Sequence, residues 1–165
     1  MKKLIMRRKA SDNVYLHRDF HNALNIGLGY VEKRFGANAV AEYLRRFAKS
    51  FYAPLSRQMR RRGLGALKKH LQRVYALEKG AIRISCSRDE LRFKVKYCPA
   101  VRHIRKMGFE VSPLFIETER AVYGAICEGT PFAHELVRYD PTTGKSVQRF
   151  CRRQNKTLFA TKTHK

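Results

Sequence analysis

Apolar positions recur at helical spacing through the first half of the chain. In HRDFHNALNIGLGYVEKRF, Phe20, Leu24, Leu28, Val31 and Phe35 repeat about every four residues, which predicts a helix over residues 17–35 ended by Gly36. Asn38 is positioned to cap a second helix whose stripe is Val40, Tyr43, Leu44, Phe47 and Phe51, running toward Pro54. LSRQMRRRG reads as a short third helix stopped by Gly63. A fourth, over residues 64–79, carries Leu67, Leu71, Val74 and Tyr75 on one side and stops at Gly80.

The period then shortens to two. AIRISCS and ELRFKVKY alternate apolar and polar residues around an SRD turn, so residues 81–97 read as a hairpin with one polar face. Pro99 suits the first position of a helix closed by Gly108, and another helix is expected over residues 115–128. FAHELVRY and KSVQRFC, joined by the turn-forming DPTTG, make a second hairpin. The expected class is α+β: N-terminal helices, then two β-hairpins forming a four-stranded antiparallel sheet, with two further helices between the hairpins.

Length and composition agree with this reading. A chain of 165 residues, 44% hydrophobic and 30% charged in periodic segments, is long enough to bury a core without disulfides. Residues 17–151 are expected to form a single domain between a basic N-terminal arm, residues 1–16, and a basic C-terminal tail, residues 152–165. The four cysteines, Cys86, Cys98, Cys127 and Cys151, include no C-x-x-C pair, so independent reduced thiols are expected. Only Leu4, Ile5 and Met6 form an apolar run near the start, and no stretch reaches membrane-spanning length, so the expectation is a cytoplasmic protein without a membrane partner.

Charge changes the picture most. The net charge is +23, and it is polarised: residues 43–77 hold ten Lys or Arg and no acid, whereas residues 109–140 hold six acids against Arg120 and Arg138. The basic segment from Arg45 to Arg73, with Phe47, Phe51 and Tyr52 interleaved, has the character of a phosphate-binding surface. Non-specific nucleic acid is therefore one candidate partner. Homeodomain, zinc-finger and RNP-like signatures are missing from the sequence. The six histidines are scattered and only His17 and His21 stand one helical turn apart, so neither a metal site nor a cofactor is expected.

Cys98 precedes Pro99 and a basic helix in KYCPAVRHIRKMG. Two readings follow. The unpaired N–H groups and positive dipole of a helix N-terminus, with Arg102 one turn on, favour a reactive thiolate. A cysteine ending a strand in apolar surroundings is instead buried and inert. His103, five residues on, is turned to a different face and is not its partner. A base for Cys98 is sought in FIETERAVYGAICEGTPF, where Glu117 and Glu128 share a helix face but stand about 16 Å apart. Each can border a pocket as a general acid or base, with Glu119 diverging, or simply complement a helix dipole. EGTPF can offer backbone N–H groups to an anion or merely end a helix.

The order of helices, a strand, CPAVRHIRKMG, an acidic helix and then CEGTPFAHELVRYD resembles the L-2-amino-thiazoline-4-carboxylic acid hydrolase-like family; more loosely, the layout is similar to 4-vinyl-reductase-type small-ligand-binding domains. The resemblance covers about residues 17–151 and concentrates its motifs in 97–140. It implies a pocket for a small anionic substrate or ligand between helices and sheet, and hydrolysis of a cyclic C–N bond. Cys98 would attack an amidine-like carbon, Glu117 or Glu128 would protonate the departing nitrogen, and water would release the product. Arg102 would hold the substrate carboxylate, with Gly129, Thr130, Phe132 and His134 bordering the pocket.

Overall fold

The computed structural model describes residues 19–154. The arm of residues 1–16, the first residues of the expected first helix with His17, and all of the tail beyond residue 154 lie outside the described residues.

Four helices come first: α1 (Asp19–Phe35), α2 (Ala37–Phe51), α3 (Ala53–Arg62) and α4 (Leu64–Leu77). The hairpin of β1 (Ala81–Cys86) and β2 (Glu90–Tyr97) follows, then α5 (Pro99–Lys106), a 3-10 turn (Pro113–Ile116) and α6 (Glu117–Cys127). The hairpin of β3 (Phe132–Asp140) and β4 (Lys145–Arg152) comes last. The α+β class and both hairpins are as expected. The sheet order, β1-β2-β4-β3, adds the second hairpin to the first through its closing strand, with all neighbours antiparallel.

Two local expectations are corrected. Gly36, not Asn38, is the N-cap of α2, because its φ of 83° lets the chain leave α1 and re-enter a helix at once, drawing Asn38 into the first turn. On α2 the buried stripe is Val40, Leu44 and Ala48, whereas Tyr43, Phe47 and Phe51 are exposed, Phe51 at 64%. The helix packs along α6, and the small Ala48 side chain permits that approach where an aromatic ring would hold the two apart.

Alternation in the strands divides the sheet into two faces. Leu91, Phe93 and Val95 of β2, Phe150 of β4 and Phe132 of β3 are buried against the helices. Helix α4 covers β1 and β2, α6 covers β3, and the other helices close around these two. Leu67, Leu71 and Tyr75 of α4, Val101 and Ile104 of α5, and Val122, Ala125 and Ile126 of α6 complete the core. Buried Asn25 ties α1 to the α5–α6 connection: its Nδ2 donates to the Glu110 carbonyl at 2.8 Å, and its Oδ1 accepts from the Ser112 N–H at 2.8 Å.

Candidate functional site

Cys98 stands at the N-cap of α5 as the sequence implies, but its side chain makes no capping hydrogen bond and the residue is only 7% exposed. Burial, and after it the field of Glu119, push the thiol up to about 12; the N–H groups of Val101 and Ala100 pull the other way and are outweighed. Of the two readings of Cys98, burial favours the packed thiol over the dipole-activated one, since desolvation is the larger effect. The Cys98 N–H donates to the Thr143 carbonyl at 3.3 Å, so the residue lies under the turn that joins β3 to β4. Iodoacetamide at about pH 8 is expected to leave native Cys98 unmodified while labelling it in denaturant, read by peptide mass spectrometry. Rapid native labelling would show the thiol to be accessible.

The other residues expected at this site are dispersed among structural tasks. Glu117, at the start of α6, accepts from Arg120 Nη1 at 2.9 Å. Glu128, at the C-cap of α6, takes Arg45 Nε at 2.7 Å, Arg45 Nη2 at 3.0 Å and Lys49 Nζ at 2.6 Å, which holds its carboxyl below the usual range and fastens α6 to α2. Arg102 is exposed, with its guanidinium 5.5 Å from the centre of the Tyr97 ring. In the EGTPF loop, Gly129 has φ 66° and its carbonyl accepts from Arg60 Nη1 at 3.4 Å. Buried Thr130 closes the turn: its hydroxyl donates to the Cys127 carbonyl at 2.8 Å and accepts from the Phe132 N–H at 3.2 Å. Those groups are therefore committed to the turn, and Phe132 is wholly in the core.

His134 leads to a feature that the sequence does not display. Its Nε2 lies 2.7 Å from Gln148 Oε1, and Gln148 Nε2 donates to Glu119 Oε2. Since Gln148 turns its amide nitrogen to the carboxylate, its oxygen accepts, and His134 carries its proton on Nε2. Burial holds His134 below its ordinary range and pushes Glu119 up to about 7. Glu119 does not diverge to solvent: it is 8% exposed and its charge bears on Cys98, Tyr52, Tyr75, Tyr123 and Tyr139. Its nearest sequence signal was the pairing of a polar Gln148 with alternating strand neighbours, which places an amide on the inner face.

Among the described residues no element covers the sheet's other face, which is cationic at one end. Register places Arg83 of β1, Lys94 of β2, Val147 of β4 and Arg138 of β3 in one row across all four strands, with Lys96 and Lys145 in the next row. Together with Tyr139 and Asp140 these residues line a depression of about 690 Å3. At the opposite end the charge is balanced, because Glu90 takes Arg92 at 2.8 Å and Arg149 at 2.7 Å, and Glu135 lies 3.6 Å from Arg149. Among the described residues no helix is long and apolar enough to cross a membrane. No family model matches this chain, and no curated protein matches it in sequence.

Proposed function

We propose that this is a polyanion-binding protein whose surface cations engage nucleic acid through its phosphates. The observation behind this reading is how the acids are spent. Glu42 pairs with Arg45 and Arg46, Glu128 with Arg45 and Lys49, Glu90 with Arg92 and Arg149, Asp89 with Arg152, and Glu117 with Arg120, while Glu119 is buried. Arg57, Arg61, Arg62, Lys69 and Arg73 on α3 and α4, and Arg83, Lys94, Lys96, Arg138 and Lys145 on the sheet, are exposed and have no salt-bridge partner among the described residues. A surface of this kind releases counterions when it meets phosphates.

Hydrolysis at Cys98 asks for a thiolate beside a free carboxylate. The burial of Cys98 and the ion pairs of Glu117 and Glu128 favour binding over that chemistry. Fluorescence anisotropy with a labelled mixed-sequence duplex tests the proposal. Affinity is expected to fall about tenfold or more as salt rises from about 50 to about 150 mM, irrespective of sequence. Absence of binding at the lower salt would overturn it.

A further inference from the structure

We infer that the cationic end of the open sheet face is the binding site and that its ligand is the phosphate backbone of double-stranded nucleic acid; this inference rests on the polyanion reading. Strands lie about 4.8 Å apart and alternate residues about 6.8 Å along, so the two rows place Arg83, Lys94, Arg138, Lys96 and Lys145 within an area of about 14 by 7 Å. A duplex carries one charge per about 1.7 Å of axis, about eight over that length counted around the helix, twice the linear charge density of one strand. The one acid among these residues, Asp140, is turned into the β3–β4 connection, where its carboxylate accepts from the Thr142 N–H at 2.9 Å and the Thr143 hydroxyl at 2.6 Å.

The side chains between the cations decide which polyanion fits. The outward neighbours of these cations are Val137 and Val147, and Tyr139, paired with buried Ser146 and close enough to feel Cys98 and Glu119, belongs to the helix-covered face. Bases therefore have no outward aromatic platform, and affinity follows charge density. Nor is there a long apolar side chain to enter a lipid surface. The alternative platform, Phe47 and Phe51 stacked at 5.3 Å on α2, has neighbouring cations Arg45, Arg46 and Lys49 already paired with Glu42 and Glu128.

Two variants of equal net charge test the assignment in the full chain. One carries Arg83→Gln, Lys94→Gln, Lys96→Gln, Arg138→Gln and Lys145→Gln; the other carries Arg57→Gln, Arg61→Gln, Arg62→Gln, Lys69→Gln and Arg73→Gln. For a labelled duplex of about 20 base pairs, the sheet variant is expected to bind at least about thirtyfold more weakly at about 50 mM salt with a flatter salt slope, and the helix variant to lose less than about fivefold. Protection of Lys94, Lys96 and Lys145 from acetylation when duplex is added to the unaltered protein gives the same answer without relying on a variant's folding. Equal losses in the two variants would overturn the assignment while leaving the polyanion reading standing. Tighter binding of a single strand, which would point to Phe47 and Phe51, or equal binding of phosphatidylserine vesicles would also overturn it. Failure of the unaltered protein to bind any nucleic acid would remove the polyanion reading itself.

Discussion

Glu119→Gln is expected to stabilise the fold by about 3 kcal/mol at about pH 8 and to leave it nearly unchanged at about pH 4. Burial raises the folded-state pKa of Glu119 from 4.5 to about 7, because the core solvates a carboxylate poorly and the single amide of Gln148 offsets only part of that loss. The folded protein therefore keeps a proton that the unfolded chain has already released. Stability from this group is fully present below 4.5 and is lost as pH rises through about 7, a difference of about 3 kcal/mol for the two and a half pH units between them. Gln has the size of the protonated acid and accepts the same hydrogen bond, but does not ionise. Urea unfolding of both proteins at the two pH values separates the effect from other titrating groups. His21, lowered to about 4 by burial, acts in the opposite sense, and Glu78, raised to about 7, in the same sense; both are present in each protein, so their own contributions cancel. Only the repulsion between Glu78 and Glu119, the smallest of the effects on Glu119, stays in the difference. A stability difference of the same size at both pH values would mean that Glu119 does not change its ionisation over this interval.

The fold was legible because its elements obey local rules. Stripes such as Leu67, Leu71 and Tyr75, the alternation of ELRFKVKY and the stops at Gly36 and Gly63 each lie within a few residues of what they determine. The site was not, because each of its features depends on a distant partner. Glu119 reads as an ordinary acid in the first turn of a helix until Gln148, 29 residues on, meets it inside the core. Cys98 reads as either an activated or a buried thiol until the β3–β4 turn is seen to lie over it. On α2, the large Tyr43, Phe47 and Phe51 look like core, yet helix contact selects Ala48 for its small size. The cationic rows exist only in the order β1-β2-β4-β3, which brings Arg138 and Lys145 beside Lys94 and Lys96; read along the chain, the basic helices are the more prominent feature.

Gly144→Ala is expected to cost about 4 kcal/mol, a large part of the stability of a domain this size. Gly144 has a φ of 66° in the connection between β3 and β4, where its N–H donates to the Asp140 carbonyl at 2.8 Å, and an L-residue held there loses about 1–2 kcal/mol. A Cβ would also overlap the Cβ of Cys98 and lie 2.8 Å from Cγ2 of Val101. Both neighbours are buried on α5, so relief requires shifting the helix or opening the turn, at a further cost of about 1–3 kcal/mol. Chemical denaturation measures the loss, and a Cys98→Gly background identifies its origin. Removing the Cys98 Cβ is expected to make Gly144→Ala at least about 1 kcal/mol less costly, the coupling of two residues in direct contact. A free energy for Gly144→Ala within about 0.5 kcal/mol of the unaltered protein would show that the turn yields easily. The substitution also bears on binding, because Asp140 and Lys145 lie at the ends of this connection. A displaced turn moves Lys145 out of its row, so the buried contact between Cys98 and Gly144 supports the cationic face by positioning it, a role that requires the thiol to be packed and not reactive.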